Sequence, residues 1–308
     1  MMDAAAKGRS QFGQYPSALR TIVHISDTHL LAGNAPLGGR FDTERNLLAT
    51  LAQVERLGVR PDAIVFTGDL TDLGEPDAYT RLREIVEPVA DRLGAPVAWI
   101  AGNHDERPEM RRDLLGLVAS QEPLDAVWDL GGLRLIGLDT TVPGWHHGEL
   151  DEAQLDWLAR ELATPAPLGT VIAMHHPPIP SHVPLFDILE LREQGRLAEV
   201  LRGTDVRAIL AGHLHCSTHG ACAGSPVAVA SATCYTMSLA NPPAQVNGMD
   251  AGQSFHLVHV YDDTITHSVV PLGDAPTADF FTPDWLAEMA ALSPEERLEA
   301  FSRKPPRA

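Results

Sequence analysis

TIVHISDTHL, residues 21–30, is an apolar run fit for a buried strand, and its end places Asp27 and His29 two positions apart. Two more β-branched runs follow, and each is preceded by a segment with helical periodicity. In chain order these are a helix at 43–57, a strand at 62–67, a helix at 77–93 and a strand at 96–101. This alternation predicts βαβ crossovers and a largely parallel sheet.

The second half of the chain is richer in predicted hairpins. Strands are expected at 133–138, 169–174, 206–211, 218–223, 226–231, 255–261 and 264–270, and helices at 151–162 and 188–202. A sheet that is parallel in one half and antiparallel towards the end suggests two β layers packed face to face with helices outside them. The predicted fold class is therefore α/β, a two-layer mixed β-sandwich flanked by helices in a four-layer αββα arrangement.

One domain is expected over residues 20–271, because no Ser/Gly-rich linker divides the chain and no internal repeat is evident. Residues 1–19 are predicted to form a flexible N-terminal arm, and 272–308 a C-terminal tail with a short amphipathic helix near 283–301. This helix could dock on the core, contribute to the homodimer that we expect, or make a peripheral membrane contact. Its acidic residues favour docking.

Charge and cysteine content bound the possible partners and the compartment. The 308 residues include 23 Lys and Arg against 41 Asp and Glu, a formal net charge of −18, which disfavours an extended nucleic acid as partner. A small anion could still bind where metal cations reverse the local field. Cys216, Cys222 and Cys234 lack zinc-site or disulfide spacing, and no apolar run suits a signal peptide or a membrane span. We expect reduced thiols in a cytoplasmic protein.

Polar residues directly follow five of the predicted strands, where functional groups of α/β sheets gather. They are Asp27 and His29; Asp69; Asn103, His104 and Asp105; His175 and His176; and His213 and His215. Each taken alone has an ordinary explanation as a helix cap, a turn residue or a core histidine. Their recurrence at five strand ends predicts a metal centre.

Among these ten residues, four imidazoles, two carboxylates and one amide, without a thiolate, form a ligand set that suits Mn, Fe or Zn. Seven ligands are more than one ion uses comfortably, so two ions that share a bridging carboxylate fit better. Two-metal sites commonly serve in-line displacement at phosphorus, because charge develops on both the attacking and the departing oxygen. The residues therefore predict a metallophosphoesterase.

The motifs themselves resemble a known family. DTH (27–29), GDLTD (68–72), GNHD (102–105), HH (175–176) and GHLH (212–215) occur in the order found in the calcineurin-like metallophosphoesterase superfamily. The stretches RPDAIVFTGDL, LDTTVPGWHHGE and HHPPIPS resemble the class III cyclic nucleotide phosphodiesterases of the mycobacterial type. The resemblance implies hydrolysis of a 3′,5′-cyclic nucleotide such as cAMP or cGMP to a nucleoside monophosphate by a metal-bound hydroxide.

The resemblance also implies a role for each residue. Asp27, His29 and His215 would bind the first metal, Asn103, His175 and His213 the second, and Asp69 would bridge the two. Fe or Mn is implied at the first site and Mn at the second. Asp69, Asn103 and His104 would form the catalytic set, with His104 as general acid. Asn103, His104 and His146 would contact the phosphate.

Several alternatives stay open at this point. The same metals could act on 2′,3′-cyclic nucleotides, glycerophosphodiesters or phosphomonoesters. A nuclease is disfavoured by the charge and by the lack of a basic, aromatic strand-binding track. A non-enzymatic scaffold predicts lost ligands, and all seven are present. Asp72 and Asp105 could orient imidazoles or cap helices, whereas His24 and Cys216 are expected to pack in the core.

Overall fold

The computed structural model describes residues 11–242, 245–273 and 281–304. The chain divides into two compact units, one formed by Arg20–Leu272 and the other by the two chain ends, up to Leu19 and from Gly273. The larger unit contains every residue that the sequence assigns to the metal centre.

The strands of the larger unit run in chain order as follows. They are β1 (Arg20–Ile25), β2 (Ala63–Thr67), β3 (Val97–Ile100), β4 (Ala126–Leu130), β5 (Leu133–Leu138), β6 (Thr170–Met174), β7 (Val206–Ala211), β8 (Thr218–Cys222), β9 (Ser225–Val229), β10 (Thr236–Met237), β11 (Gly248–Met249), β12 (Ser254–Val260) and β13 (Ile265–Pro271). The helices are α1 (Thr43–Arg56), α2 (Pro76–Leu93), the single turn α3 (Arg107–Glu109), α4 (Glu152–Leu162) and α5 (Gln194–Leu201).

Two mixed sheets form the centre of this unit. The first has the strand order β13-β12-β1-β2-β3, in which β1, β2 and β3 are parallel and β12 and β13 join antiparallel. The second has the order β4-β5-β6-β7-β9-β8, with β5, β6, β7 and β9 parallel and an antiparallel strand at each edge. The predicted combination of parallel and antiparallel strands in two layers is confirmed.

Three apolar clusters separate the layers. The inner faces of the two sheets meet through residues such as Ile22, Val65, Leu135 and Val171. A second cluster packs α1 and α2 on the outer face of the first sheet, and a third packs α4 and α5 on the outer face of the second. Because both faces of the central strands are covered, all five residues of β2, AIVFT, are buried. The fold is the predicted four-layer αββα arrangement.

Four histidines from the two sheets contact one another, and we call them the inter-sheet histidine cluster: His24, His219, His256 and His267. His24 on β1 pairs with His256 on β12, and their ring centroids are 5.5 Å apart. His219 on β8 of the second sheet stacks on His256 at 5.6 Å, and His267 on β13 lies 6.4 Å from His219. His24 and His256 are fully buried, so the expected core packing of His24 is confirmed.

Strand β4 and helix α5 differ from the sequence prediction. Strand β4 was not predicted, although the Gly131–Gly132 pair between it and β5 is a two-residue hairpin signal, and the two strands pair from Ala126 to Gly137. Helix α5 begins at Gln194, later than the predicted 188–202, because Glu193 has a left-handed backbone with φ 49° and a 3₁₀ turn occupies Pro184–Asp187. The residues freed from the helix form a loop beside the metal centre.

The described part of the smaller unit contains α6 (Pro283–Ala291), α7 (Pro294–Arg297) and a π turn (Leu298–Ser302). The single helix predicted near 283–301 is therefore interrupted, because Ser293 caps a new helix whose first residue is a proline. Phe281, Trp285 and Phe301 pack together with ring centroids 4.6–5.5 Å apart. Across residues 11–242, 245–273 and 281–304, no helix has the length and apolarity needed to cross a bilayer.

Candidate metal centre

The carboxyl ends of β1, β2, β3, β6 and β7 bring the seven predicted ligands into one site. One ligand atom from each of Asp27, His29, Asp69 and His215 lies within 4.8 Å of the others. His175 Nε2 lies 3.3 Å from Asp69 Oδ2, 3.0 Å from Asn103 Oδ1 and 3.2 Å from His213 Nδ1. Asp69 is thus common to both groups.

The backbone of five of these residues is left-handed. Asp27, His29, Asp69, His213 and His215 have φ values of 54°, 45°, 48°, 71° and 51°. Each such residue costs roughly 1–2 kcal/mol relative to the ordinary regions, and strained backbone of this kind concentrates at functional sites. The strain ends each strand abruptly where its side chain enters the site.

Each of the four imidazoles uses one ring nitrogen to donate a hydrogen bond away from the centre. The acceptors are the Asp72 carboxylate for His29 Nδ1 at 3.0 Å and backbone carbonyls for the other three. These are Thr67 for His175 Nδ1 at 2.7 Å, Leu189 for His213 Nε2 at 3.0 Å and Tyr235 for His215 Nδ1 at 3.1 Å. The other ring nitrogen of each neutral imidazole therefore carries a lone pair that points inward.

The inward lone pairs face other acceptors. His29 Nε2 lies 3.3 Å from Asp69 Oδ2, and His215 Nε2 lies 3.4 Å from Asp27 Oδ1. His175 Nε2 faces Asn103 Oδ1, whose orientation is set because the amide nitrogen donates to His146 Nδ1 at 2.9 Å. Acceptors that face one another at these distances repel unless a proton or a cation lies between them. The residues present therefore fit two bound cations.

The electrostatics of the buried carboxylates agree with this conclusion. Burial by itself would raise the pKa of Asp69, but the neighbouring His175 and His29 hold it well below its usual range. Burial would lower the pKa of both imidazoles, yet the charge and hydrogen bonds of Asp69 raise it to about 10 for His29 and about 9 for His175. The negative potential at the centre thus binds protons strongly when no cation balances it.

His104 stands at the rim of this centre beside Asp72. Its Nδ1 donates to the Asp72 carbonyl at 2.9 Å, and the Asp72 carboxylate lies 3.4 Å from the same nitrogen. The ring also lies edge-on to His29 at a centroid distance of 4.8 Å. Asp72 therefore orients both His29 and His104, as one of its two predicted roles requires.

Asp105 has a different task from either of those considered for it. Its carboxylate accepts hydrogen bonds from the backbone amides of Leu70, Thr71 and Gly102 at 2.9–3.2 Å and from the Tyr79 hydroxyl at 2.9 Å. It thereby ties the loop after β2 to the loop after β3. This connection fixes Asp69 relative to Asn103, since each ligand belongs to one of the two loops.

The loop 139–149 delivers His146 to the rim, where its ring lies 5.0 Å from that of His104. The buried His176 supports this loop: its Nδ1 accepts from the Thr140 hydroxyl at 2.8 Å and its Nε2 donates to the His146 carbonyl at 3.2 Å. Burial, together with the neighbouring His175, lowers the pKa of His176 to about 3, which keeps it neutral. Trp145 is exposed and His147 is buried.

A cavity of about 210 Å³ opens beside the metal centre. Its polar side is formed by the ligands and by His104 and His146, and its apolar side by Leu185, Phe186, Leu189, Tyr235 and Met237. No motif in the sequence predicted a role for these five residues. Only their position in the chain could have indicated a role. Residues 185–189 follow β6, and residues 235–237 follow β9. The carboxyl end of β9 lies at the same edge of the second sheet because β9 is parallel to β7.

The three cysteines are buried and free of disulfides, as expected. Cys216 packs its thiol near the Thr218 hydroxyl at 3.6 Å, so the prediction that it is a packed side chain is confirmed. Cys234 lies closer to the metal centre, with its sulfur 3.7 Å from His215 Nδ1. Burial raises the pKa of both thiols, which disfavours the thiolate form.

The chain is similar in sequence to known phosphoesterases. The sequence model described as Calcineurin-like phosphoesterase matches residues 20–217. A cAMP/cGMP dual specificity phosphodiesterase of Mycobacterium tuberculosis is 50% identical over 303 residues, which cover 97% of this chain and 95% of that protein. A Rhodococcus erythropolis protein named "Probable cyclic nucleotide phosphodiesterase" is 55% identical over 260 residues, covering 84% of this chain and 86% of the relative.

Among solved structures, a dimetal phosphatase from Danio rerio shares the fold with a TM-score of 0.60 at 18% sequence identity. The alignment covers 83% of this chain and 97% of the phosphatase. At this level of identity, the likeness extends to the arrangement of the layers.

Proposed function

The chain belongs to the calcineurin-like phosphoesterase family, and on that premise we propose that it is a dinuclear-metal phosphodiesterase that hydrolyses 3′,5′-cyclic nucleotides of the cAMP and cGMP type. The substrates in the name of the Mycobacterium tuberculosis relative support this choice. The observation that carries it is a cavity with a metal centre on one side and an apolar wall on the other.

The inward ring nitrogens and carboxylates divide into two ligand sets. In our proposal Asp27, His29 and His215 hold the first ion, Asn103, His175 and His213 hold the second, and Asp69 contributes to both. Nitrogen and oxygen donors without thiolate suit Mn, Fe or Zn. The family resemblance implies Fe or Mn at the first site and Mn at the second, with Zn as the alternative. When bound, the ions supply Lewis acidity, which lowers the pKa of a coordinated water and offsets charge on the phosphoryl oxygens.

The side chains at the rim then act on the substrate. Because Nδ1 of His104 is fixed by the Asp72 carbonyl, its Nε2 is the nitrogen left for the substrate in the cavity. The Asp72 carboxylate, 3.4 Å from Nδ1, helps to hold the ring in this orientation. We assign to His104 the transfer of the Nε2 proton to the departing ribose oxygen. His146 lies on the same rim, and we assign it a contact with a phosphoryl oxygen.

The apolar wall favours a nucleotide over smaller phosphoesters. A nucleobase covers apolar surface of the kind presented by Leu185, Tyr235 and Met237, and sites for small molecules typically combine such a wall with a few polar groups that fix orientation. A glycerol group would leave the same surface in water. The wall therefore favours cyclic nucleotides over glycerophosphodiesters.

The test is a comparison of kcat/KM for 3′,5′-cAMP, 3′,5′-cGMP, 2′,3′-cAMP, glycerophosphocholine and nitrophenyl phosphate with the Mn-loaded protein. We expect a 3′,5′-cyclic nucleotide to be the best substrate. Asp69→Asn, assayed in parallel, controls for contaminating activity. A tenfold preference for another substrate, which corresponds to about 1.4 kcal/mol in transition-state binding, would refute the proposal.

A matched pair of variants tests the apolar wall. Leu185 is 40% exposed and lines the cavity, whereas Leu239 is 42% exposed and lies outside it. Leu185→Ser should raise KM for cAMP about fivefold, because partial burial of a leucine contributes about 1 kcal/mol. Leu239→Ser should not change KM, and neither variant should change kcat/KM for methyl nitrophenyl phosphate. An equal effect of both variants would show that the base does not use the wall.

The cellular setting stays a prediction. We propose a cytoplasmic homodimer that acts on small-molecule phosphodiesters, and the buried free thiols are consistent with a reducing compartment. Sedimentation equilibrium tests the dimer. Vesicle flotation of the full chain tests the possible peripheral membrane contact of the C-terminal tail.

A further inference from the structure

A chain of buried hydrogen bonds lies behind His175, on the side away from the cavity. His24 Nε2 is 2.9 Å from Thr67 Oγ1, which donates to Ser26 Oγ at 2.8 Å. Ser26 Oγ in turn donates to the Thr67 carbonyl at 3.2 Å, and that carbonyl accepts from His175 Nδ1 at 2.7 Å. His24, Ser26 and Thr67 are all fully buried, so no solvent competes for these bonds.

The directions of these bonds are fixed by chemistry. A carbonyl only accepts, so His175 carries its proton on Nδ1. Because the Thr67 hydroxyl gives its only proton to Ser26, it must accept from His24, which therefore carries its proton on Nε2. Among the described residues, His24 Nδ1 has no hydrogen-bond partner, as this tautomer allows for a nitrogen without a proton. The chain thus has one consistent arrangement of protons, and it ends on a metal-facing imidazole.

Ser26 has a second contact with the metal centre. A Cβ atom at Gly212 would collide with the Ser26 hydroxyl and lie 2.7 Å from Asp27 Oδ2. Gly212 is therefore required for Ser26 to sit beneath the backbone that leads to His213, whose amide donates to Asp27 Oδ1 at 3.1 Å. The serine hydroxyl is held between the strand end that carries Asp27 and the one that carries His213.

We propose that Ser26 and Thr67 are positioning residues for His175, anchored by His24, and that they set the affinity of the ion that His175 holds. The inference rests on the proposed two-metal function. The Ser26 hydroxyl holds the Thr67 carbonyl in place by donating to it. The hydrogen bond from His175 Nδ1 to that carbonyl therefore fixes the direction in which His175 Nε2 points. Groups that orient a metal-bound histidine commonly change metal affinity by about 10–100-fold when they are removed.

The experiment measures Mn²⁺ release from the full-length protein in competition with a chelator, which gives the two dissociation constants without any substrate. Ser26→Ala removes the hydrogen bond that holds the Thr67 carbonyl in place, and Thr67→Val removes the hydrogen bond to His24. We expect Ser26→Ala to weaken one of the two ions about tenfold and to change the other less than twofold. Thr67→Val should act in the same direction, and Thr67→Ser should restore the parent affinity.

Thr170→Val is the matched control. Thr170 is also a fully buried threonine with two hydrogen bonds, to Arg134 and Asp205, but it lies at the amino end of β6, whereas His175 follows the carboxyl end. It should lower thermal stability without changing Mn²⁺ affinity. The kcat lost in Ser26→Ala should return at saturating Mn²⁺, as expected of a positioning role.

Parent-like Mn²⁺ affinities in Ser26→Ala would overturn the inference, and so would an equal weakening of both ions that Thr170→Val reproduces. A different result would refute the proposed function. If the parent protein binds two ions but hydrolyses no cyclic nucleotide, while Ser26→Ala still weakens one ion, the positioning role stands and the substrate assignment falls.

Discussion

His256→Phe should make the stability of the protein less dependent on pH. His256 is fully buried in the inter-sheet histidine cluster, and burial, reinforced by His219 and His267, lowers its pKa to about 3. Among the described residues its Nδ1 has no hydrogen-bond partner. The folded protein therefore keeps this imidazole neutral, whereas the unfolded chain protonates it at the ordinary value of 6.5.

The sign and size follow from this difference. A folded-state pKa below the unfolded value means that the stabilisation is fully present above about pH 6.5 and is lost as the pH falls towards about 3. About pH 5 lies about 1.5 units below the unfolded-state pKa, so protonation lowers the free energy of the unfolded chain by about 2 kcal/mol there. His256→Phe removes this contribution while it keeps an aromatic ring against His219.

The assay is urea unfolding of the parent and the variant at about pH 8 and about pH 5, compared as a difference of differences so that protonation of the metal ligands cancels. The parent should lose about 2 kcal/mol more than His256→Phe between the two conditions. His182→Gln, which removes an exposed histidine, should behave as the parent. Equal losses in parent and His256→Phe would show that the pKa of His256 is not lowered in the folded state and would refute the reasoning.

Three further outcomes test the metal centre itself. Elemental analysis after reconstitution with Mn should find two ions per chain, and chelation should abolish hydrolysis of a chromogenic diester; one ion or none would exclude the two-metal arrangement. Asn103→Ala removes one proposed neutral ligand and leaves Asp69 in place, so kcat should fall sharply while the urea midpoint changes little; parent-like turnover with both ions bound would exclude Asn103 as a ligand. His104→Ala should slow cAMP hydrolysis about 10²–10⁴-fold but cost a nitrophenyl diester much less, because nitrophenolate leaves without a proton; equal losses on both substrates would assign His104 to phosphate binding.

The amino-acid sequence alone determined the fold class and predicted the types of ligand. Apolar runs such as 21–26 and 63–67 are local signals for buried strands, and their alternation with helical segments predicts a sheet whose carboxyl ends share one edge. Once Asp27 and Asp69 are placed at such ends, their proximity follows from topology without coordinates. The two layers could therefore be predicted from features that lie within a few residues of one another.

Tertiary structure decided everything that depends on partners far apart in the chain. The tautomer of His175 is set by the carbonyl of Thr67, 108 positions away, and the orientation of Asn103 by His146, 43 positions away. The apolar wall joins a loop after β6 to residues after β9, and neither segment has a periodicity that marks it as a binding surface. The local pattern indicates which side chains a strand buries. A hydrogen bond between distant segments depends on atomic positions that must be correct to within a few tenths of an ångström, and only the folded chain specifies them.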